Sequence, residues 1–445
     1  METERLVSRM KTTIVVALLA MDLTVLSRDS RAQGIVAPGA GPVLRSFGGT
    51  AIAAPLDGVG ALYWNPATLS FLVNRIDIGA EAFWKNQTVE STIPANLLGP
   101  GKPPTSVTGK TKSDDGMGLG PATVAVGHLP AKKWSKLTLA GGIFPYSGGG
   151  SNYPADPNNP TLAGLGGWFN SFVILTFPFA ASYKVDDHLA VGLAADFATA
   201  SWQWNRAIFA HPDTGTVNGV KVTQYAPAFA NSKYGAGAHA GVYYHAASGL
   251  GLGLMVKSPI WFQTIDYNTT TLLGQQRTVS VGFNTPAFVG VGLSYDSVKK
   301  WLFAIDFKYA FYKNTTGYYA DRAFFQPNGT VNGLGYDNGL AVTSGIQYKS
   351  SEKLSARIGY KYSTRIVPNT PTFELTSSSL RHAVGGGVSY EIIKGIEVHA
   401  AYVQSWAIPI TGEMTSPLNN QPIPGSRMRL TLVEYAPSIG ISLKY

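Results

Sequence analysis

The sequence predicts an all-β fold: a transmembrane antiparallel β-barrel of about 14 strands with an N-terminal hatch inside the lumen. Three observations predict it. The first is composition: 45% hydrophobic but only 14% charged, with 50 Gly, 22 Tyr, 20 Phe and 9 Trp in 445 residues. A lipid face and a water face average to ordinary hydropathy, whereas a soluble domain carries roughly 25% charge and a polytopic helical protein is far more apolar. The second is a period of two. Trp301, Phe303, Ile305, Phe307, Tyr309 and Phe311 share one face, and Leu302, Ala304, Asp306, Lys308 and Ala310 share the other. The third is that short and long connections alternate along the chain, as in a barrel with tight periplasmic turns and long outer loops.

At the N-terminus, Arg5, Arg9 and Lys11 precede an apolar run from Ile14 to Met21, and Ser30-Arg31-Ala32 supplies small cleavage residues. Residues 1–32 therefore read as a secretory signal, with the mature chain starting at Gln33. Asp22 interrupts the apolar run, and no later segment offers the roughly 20 apolar residues of a membrane helix, so strands must do the spanning. Residues 33–73 are rich in Gly and Ala and lack a period-two face. They are expected to plug the barrel, the alternative being a periplasmic tail.

The barrel is expected over 74–445. Its strands are placed at 74–90, 116–129, 134–146, 168–184, 188–205, 234–246, 249–266, 277–296, 300–314, 338–350, 353–364, 379–392, 395–408 and 431–445. Tight turns at Val185-Asp186-Asp187, Ala247-Ser248, Ser297-Val298-Lys299, Ser351-Glu352 and Ile393-Lys394 alternate with long loops at 91–115, 147–167, 206–233, 267–276, 315–337, 365–378 and 409–430. A soluble sandwich has no reason to alternate so regularly, and an open sheet edge in lipid would leave backbone groups unpaired.

Other classes are disfavoured. The chain has no Cys, which excludes disulfides, iron–sulfur clusters and thiolate zinc and suits an oxidising periplasm. The formal charge is +9, but Lys and Arg are scattered through the chain with no basic run, so no nucleic-acid partner is expected. None of His128, His188, His211, His239, His245, His382 and His399 belongs to a close metal-ligand motif, and no nucleophile elbow appears. Gly251-Leu252-Gly253 lies in a strand with no following helix, so it is not a nucleotide loop. No enzyme, metal or cofactor is expected.

Residues 43–69, from Val43-Leu44-Arg45-Ser46-Phe47-Gly48-Gly49 to Asn65-Pro66-Ala67-Thr68-Leu69, resemble the hatch of the FadL/TodX family of outer-membrane transporters of long-chain fatty acids and hydrocarbons. Thr285-Pro286-Ala287-Phe288, Arg357-Ile358-Gly359-Tyr360 and Arg381-His382 followed by Gly385-Gly386-Gly387 extend the likeness over nearly the whole mature chain. One departure is the last residue, Tyr445, where the family usually has Phe. The resemblance implies a hatch-plugged barrel of fourteen strands. It also implies a ligand path beside Phe47, Asp57, Trp64, Asn65, Pro66 and Ala67, and a third-strand kink at Gly141, Gly142 and Pro145 that lets ligand leave sideways.

The same residues have plainer readings. Asn65-Pro66 starts a turn wherever it occurs, and Gly141-Gly142 with Pro145 also suits an ordinary strand end. Lumen-facing Lys308, Arg357 and Lys361 are candidate carboxylate contacts, unless neighbours such as Asp306 neutralise them. Arg365 and Arg381 lie nearer the outer loops. Trp168-Phe169, Tyr318-Tyr319 and Phe324-Phe325 are expected in those loops as a capture surface. The expected function is passive, ligand-gated uptake by a monomer whose partners are a hydrophobic small molecule and outer-membrane lipid. The alternative is a general porin or a structural barrel.

Overall fold

A computed structural model describes residues 35–97, 101, 104–130, 132–154, 167–205, 212–217, 220–224, 226–271, 273–319, 333–367, 380–414 and 422–445. The expected signal and Phe324-Phe325 lie outside these residues.

Fourteen strands make the wall. The first seven are β1 Arg75–Ile93, β2 Met117–His128, β3 Leu137–Tyr153, β4 Trp168–Lys184, β5 Leu189–Asn205, β6 Ala228–His245 and β7 Leu250–Lys257. The second seven are β8 Phe288–Tyr295, β9 Trp301–Ala310, β10 Gly339–Lys349, β11 Leu354–Ser363, β12 His382–Ile393, β13 Ile396–Trp406 and β14 Arg427–Lys444. Each pairs antiparallel with its sequence neighbour. The sheet closes through β1 and β14, from Arg75 opposite Lys444 to Thr92 opposite Arg427. Closure through this pair removes the two terminal edges that an open sheet would show to lipid.

Alternation decides what each face meets. On β1, Ile78 and Trp84 are exposed to the outside, while Arg75, Asp77 and Glu81 are buried inside. On β9, Trp301 and Tyr309 face out, and Asp306 and Lys308 are almost fully covered. Polar lumen residues are buried because residues 35–72 fill the lower lumen. Helix α1, Pro42–Ser46, packs on β11, β12 and β13; α2, Gly58–Tyr63, packs on β1 to β4; and the 3-10 helix Pro66–Phe71 packs on β3 to β6. Wall glycines permit this approach. A Cβ at Gly359 would lie 2.0 Å from the Gly48 nitrogen, and one at Gly253 would lie 2.1 Å from the Ile52 oxygen.

Several expected boundaries change. The strands placed at 249–266 and 277–296 are interrupted: β7 ends at Lys257, β8 starts at Phe288, and Ile265–Thr270 pairs with Gln276–Val281 as a separate hairpin. Pro259 and Pro286 have no N–H for the ladder. Side chains repair the break, Ile260 N–H donating to Thr285 Oγ1 at 2.8 Å and Phe262 N–H to Asn284 Oδ1 at 2.9 Å. The third strand runs on to Tyr153 rather than ending at 146. A strand at Val107–Lys112, inside the expected loop 91–115, extends the outer end of β1. Trp168 and Phe169 begin β4 instead of lying in a loop, and Trp168 is buried. Tyr318 is also buried, ring to ring with Tyr312 at 5.2 Å and Tyr336 at 5.0 Å, and it lines a lumen cavity rather than an exposed outer surface.

Candidate functional site

The lower lumen is a polar seal. Asp57 caps α2 by accepting Gly60 N–H at 2.9 Å, and Asp77 on β1 accepts Gly58 N–H at 2.7 Å. Burial pushes the Asp57 carboxyl up to about 6, and the neighbouring Asp77 charge adds to the effect. Arg75 forks onto Asp77, and a chain of side-chain hydrogen bonds then runs through Ser442, His399, Ser389 and Arg357 to Gln347. It crosses six adjacent strands, β10 to β14 and β1.

Higher on the opposite wall, Asp306 accepts Ala51 N–H at 2.8 Å and Ile52 N–H at 3.1 Å, and pairs with Lys308 at 3.1 Å. Lys308 also donates to Gly49 O at 2.9 Å and Thr343 Oγ1 at 2.8 Å, and stands over the Trp64 ring at 4.8 Å. On β5 and β6, His239 bridges Asp196 at 2.8 Å and Leu62 O at 3.1 Å. Asn65 Nδ2 donates to Ile52 O at 2.7 Å and to Val242 O of the wall at 3.1 Å, while its Oδ1 accepts Ala67 N–H at 3.1 Å and caps the helix begun by Pro66. Trp64 Nε1 donates to Pro38 O at 3.0 Å, and Phe47 is fully buried against Ala304.

The structure thus brings Phe47, Asp57, Trp64, Asn65, Pro66 and Ala67 together as hatch core and hatch-to-wall ties. None of them lines the cavity above. Hatch residues that do line it are Ile35 to Gly39 and Arg45. Arg45 pairs with Glu81 at 2.7 Å and Glu434 at 3.7 Å. Sequence reasoning missed this cluster, although Arg45 stands in the hatch motif and Glu81 on an inward position of β1.

The cavity measures about 310 Å3 and lies between the hatch, the outer halves of β1 to β5 and β14, and a far side formed by Tyr318, Leu334, Tyr336, Lys361 and Leu380. Aromatic rings build one side: Phe172 and Trp202 have centroids 4.8 Å apart, and Trp202 and Trp204 5.0 Å apart. Of the three lumen cations expected to meet a carboxylate, only Lys361 reaches the cavity. Lys308 is covered by the hatch it holds, and Arg357 lies lower, bonded to Gln347 at 2.7 Å and Ser389 at 2.6 Å. Lys361 donates to Leu380 O at 3.1 Å and makes no ion pair among the described residues. Arg365 and Arg381 lie beyond the cavity, bonded to Val367 O and Ser363 O.

The wall beside the cavity has a seam. β2 pairs with β1 along ten residues, from Arg75 opposite Val126 to Trp84 opposite Met117. It pairs with β3 only from His128 opposite Thr138 to Thr123 opposite Ile143. Above that point Met117–Ala122 has no ladder partner on the β3 side among the described residues, while β3 continues along β4 with a bulge between Pro145 and Ser147. The irregularity expected at Gly141-Gly142 therefore sits a few residues further on. Gly141 pairs with Ala125 and Phe179, and Gly142 with Val124, whereas Pro145 lacks the N–H to continue. Hatch residues meet the seam from inside: Ala37 N–H donates to Tyr146 O at 2.9 Å, and Ser147 Oγ to Ile35 O at 2.5 Å. Leu119, Gly120 and Pro145 line both cavity and seam.

A family model described as outer membrane protein transport protein (OMPP1/FadL/TodX) matches residues 27–424. The chain belongs to that family. It is an outer-membrane transport protein, and its barrel and hatch are those of the family fold. Among solved structures it is similar to the toluene transporter TodX of P. putida, with 19% identity, a TM-score of 0.66, and coverage of 92% of this chain and 99% of that one. The toluene transporter TbuX of Ralstonia pickettii gives 17% identity and 0.63, and a FadL homologue of Pseudomonas aeruginosa gives 14% and 0.69, each again over 92% and 99%. No curated protein matches the sequence.

Proposed function

We infer that the protein carries hydrophobic compounds inward across the outer membrane, by passive diffusion, and releases them sideways through the seam between β2 and β3. The observation that carries this reading is the cavity itself, floored by the hatch, walled on one side by aromatic rings and ending at an unpaired stretch of wall. Each methylene or ring kept out of water on the way saves about 0.8 kcal/mol per CH2, so an exit into the bilayer is downhill for an apolar cargo. Irregular backbone at membrane depth is tolerated only where protein covers it, and the residues 35–37 cover it here. Similarity to toluene transporters and to a FadL homologue supports the cargo class.

Lys361 and the aromatic side together suit two kinds of cargo: a neutral monoaromatic, or an amphiphile whose carboxylate meets Lys361. Trp202 and Trp204 make binding visible by fluorescence. Toluene and laurate should both give saturable changes in the purified protein, and Lys361→Ala should weaken laurate about tenfold while leaving toluene unchanged. No saturable change with either ligand, together with large steady ionic currents in planar bilayers, would favour the porin reading instead.

A further inference from the structure

We propose that the outer rim of β14, β1 and the strand Val107–Lys112 is a binding site for the phosphorylated headgroup of an outer-leaflet glycolipid. The three strands are neighbours, and their registers align outward-facing residues in rows. Tyr435 lies opposite Trp84, with ring centroids 6.1 Å apart. Two rows higher come Thr431, Thr88 and Lys112; then Arg429, Glu90 and Lys110; then Arg427, Thr92 and Thr108. The lower outward positions are apolar, among them Ile78, Ile439 and Trp84. The stacked Trp84–Tyr435 pair therefore marks the outer edge of the apolar band, where barrels carry their aromatic girdle.

Four cations stand just above that edge. At 3.3 Å per residue along a tilted strand, the Lys112 row is roughly 10 Å above Trp84, within reach of a headgroup when a Lys extends downward. Arg427 and Arg429 are two residues apart on one side, and Lys110 and Lys112 two apart on the other, with Glu90 between them. Glu90 holds Lys110 at 2.9 Å and Arg429 at 3.7 Å, which fixes both heads beside the same spot without covering them: their side chains stay 62% and 44% exposed. Glu413 stands at the same rim and accepts Gly425 N–H at 3.3 Å. Among the described residues, four positive charges stand against two negative ones on a face turned away from the lumen, off the transport path. They match anionic phosphates on a saccharide anchored in the adjoining leaflet, where apolar contact below and charge above act together.

The test compares the native protein with a Lys110→Ser/Lys112→Ser/Arg427→Ser/Arg429→Ser variant, both extracted from outer membranes in mild detergent. Heat-modifiable gel migration confirms that the barrel is folded, and native mass spectrometry counts bound lipid A-type glycolipid. The native barrel should retain the glycolipid through detergent exchange, and the variant should retain at least about tenfold less. Dephosphorylated glycolipid and inorganic phosphate are the two control probes, and each should bind far more weakly than the phosphorylated lipid. Equal retention by native and variant barrels, or binding of inorganic phosphate as tight as that of the glycolipid, would overturn the proposal.

Discussion

The lower and outer halves of the lumen use the same β-barrel wall in opposite ways. In the lower half, hatch and wall are joined by hydrogen bonds that leave few polar groups to chance: Asp77 to Gly58, Asp306 to Ala51 and Ile52, Asn65 to Val242, His239 to Leu62. In the outer half the hatch contributes only residues 35 to 39 and Arg45, one side of the lining is aromatic, and one seam of the wall lacks its ladder. A channel that conducts small ions needs its lower half open. A channel that moves apolar molecules can keep that half sealed, provided the wall itself gives way higher up. Buried polar contacts thus close one route, and the missing ladder between Met117–Ala122 and β3 is where the proposed exit lies.

The largest effect should come from breaking the seal. Asp306→Ala leaves Lys308 buried without its carboxylate and two hatch amides without an acceptor, a loss of about 3–5 kcal/mol. Steady ionic conductance in planar bilayers should then appear where the native barrel shows almost none. A silent Asp306→Ala channel would mean the hatch is held from elsewhere.

A smaller effect should separate the two glycines near the seam. A Cβ at Gly142 would lie 2.5 Å from Thr123 O, which is backbone and cannot step aside, whereas one at Gly141 meets only the lipid-facing Phe179 ring at 3.1 Å. Gly142→Val should cost about 1–3 kcal/mol in a urea-unfolding series, by forcing β2 and β3 apart, and Gly141→Val no more than about 0.5. The reverse order would show that the pairing below the seam is not as described.

The smallest effect belongs to Asp57. Its raised value near 6, against an ordinary 3.8, means that the folded hatch prefers the protonated acid. The corresponding stability is complete below 3.8 and lost as pH rises through about 6. Asn keeps the cap without the charge. Hatch amides of Asp57→Asn should therefore exchange more slowly than native ones at pH 7.5 and at the same rate below 3.8. A native hatch that exchanges more slowly at pH 7.5 than the variant would reverse the sign.

Much of the wall is legible in the sequence because lipid imposes a strict rule on every second residue: Trp301 to Phe311 can be sorted by inspection, and tight turns such as Ala247-Ser248 mark strand ends. The rule misleads at 265–281, where the alternation of Ile265 and Tyr267 with Asp266 and Asn268 persists in a hairpin that has left the barrel. The cavity is not legible, because its floor joins Arg45, Glu81 and Glu434 across most of the chain. Nor can a lone sequence say that Lys308 is tied to Gly49, 259 residues away. Pro145 signalled trouble in the third strand, but loss of pairing depends on where β2 diverges, which the residues of β3 do not record.

The central claim is that cargo leaves through the seam, and a reversible staple tests it most directly. A Cβ at position 120 would stand 3.7 Å from the Pro145 Cβ, close to the roughly 3.8 Å typical of a disulfide. The chain has no other Cys to mispair with. In a Gly120→Cys/Pro145→Cys variant, with bridge formation verified by mass spectrometry, uptake of labelled toluene or laurate into cells should stop when the bridge is closed and return on reduction. Binding read from Trp202 and Trp204 fluorescence should persist throughout. Equal uptake in the bridged and reduced states would contradict the account and place the exit elsewhere in the barrel.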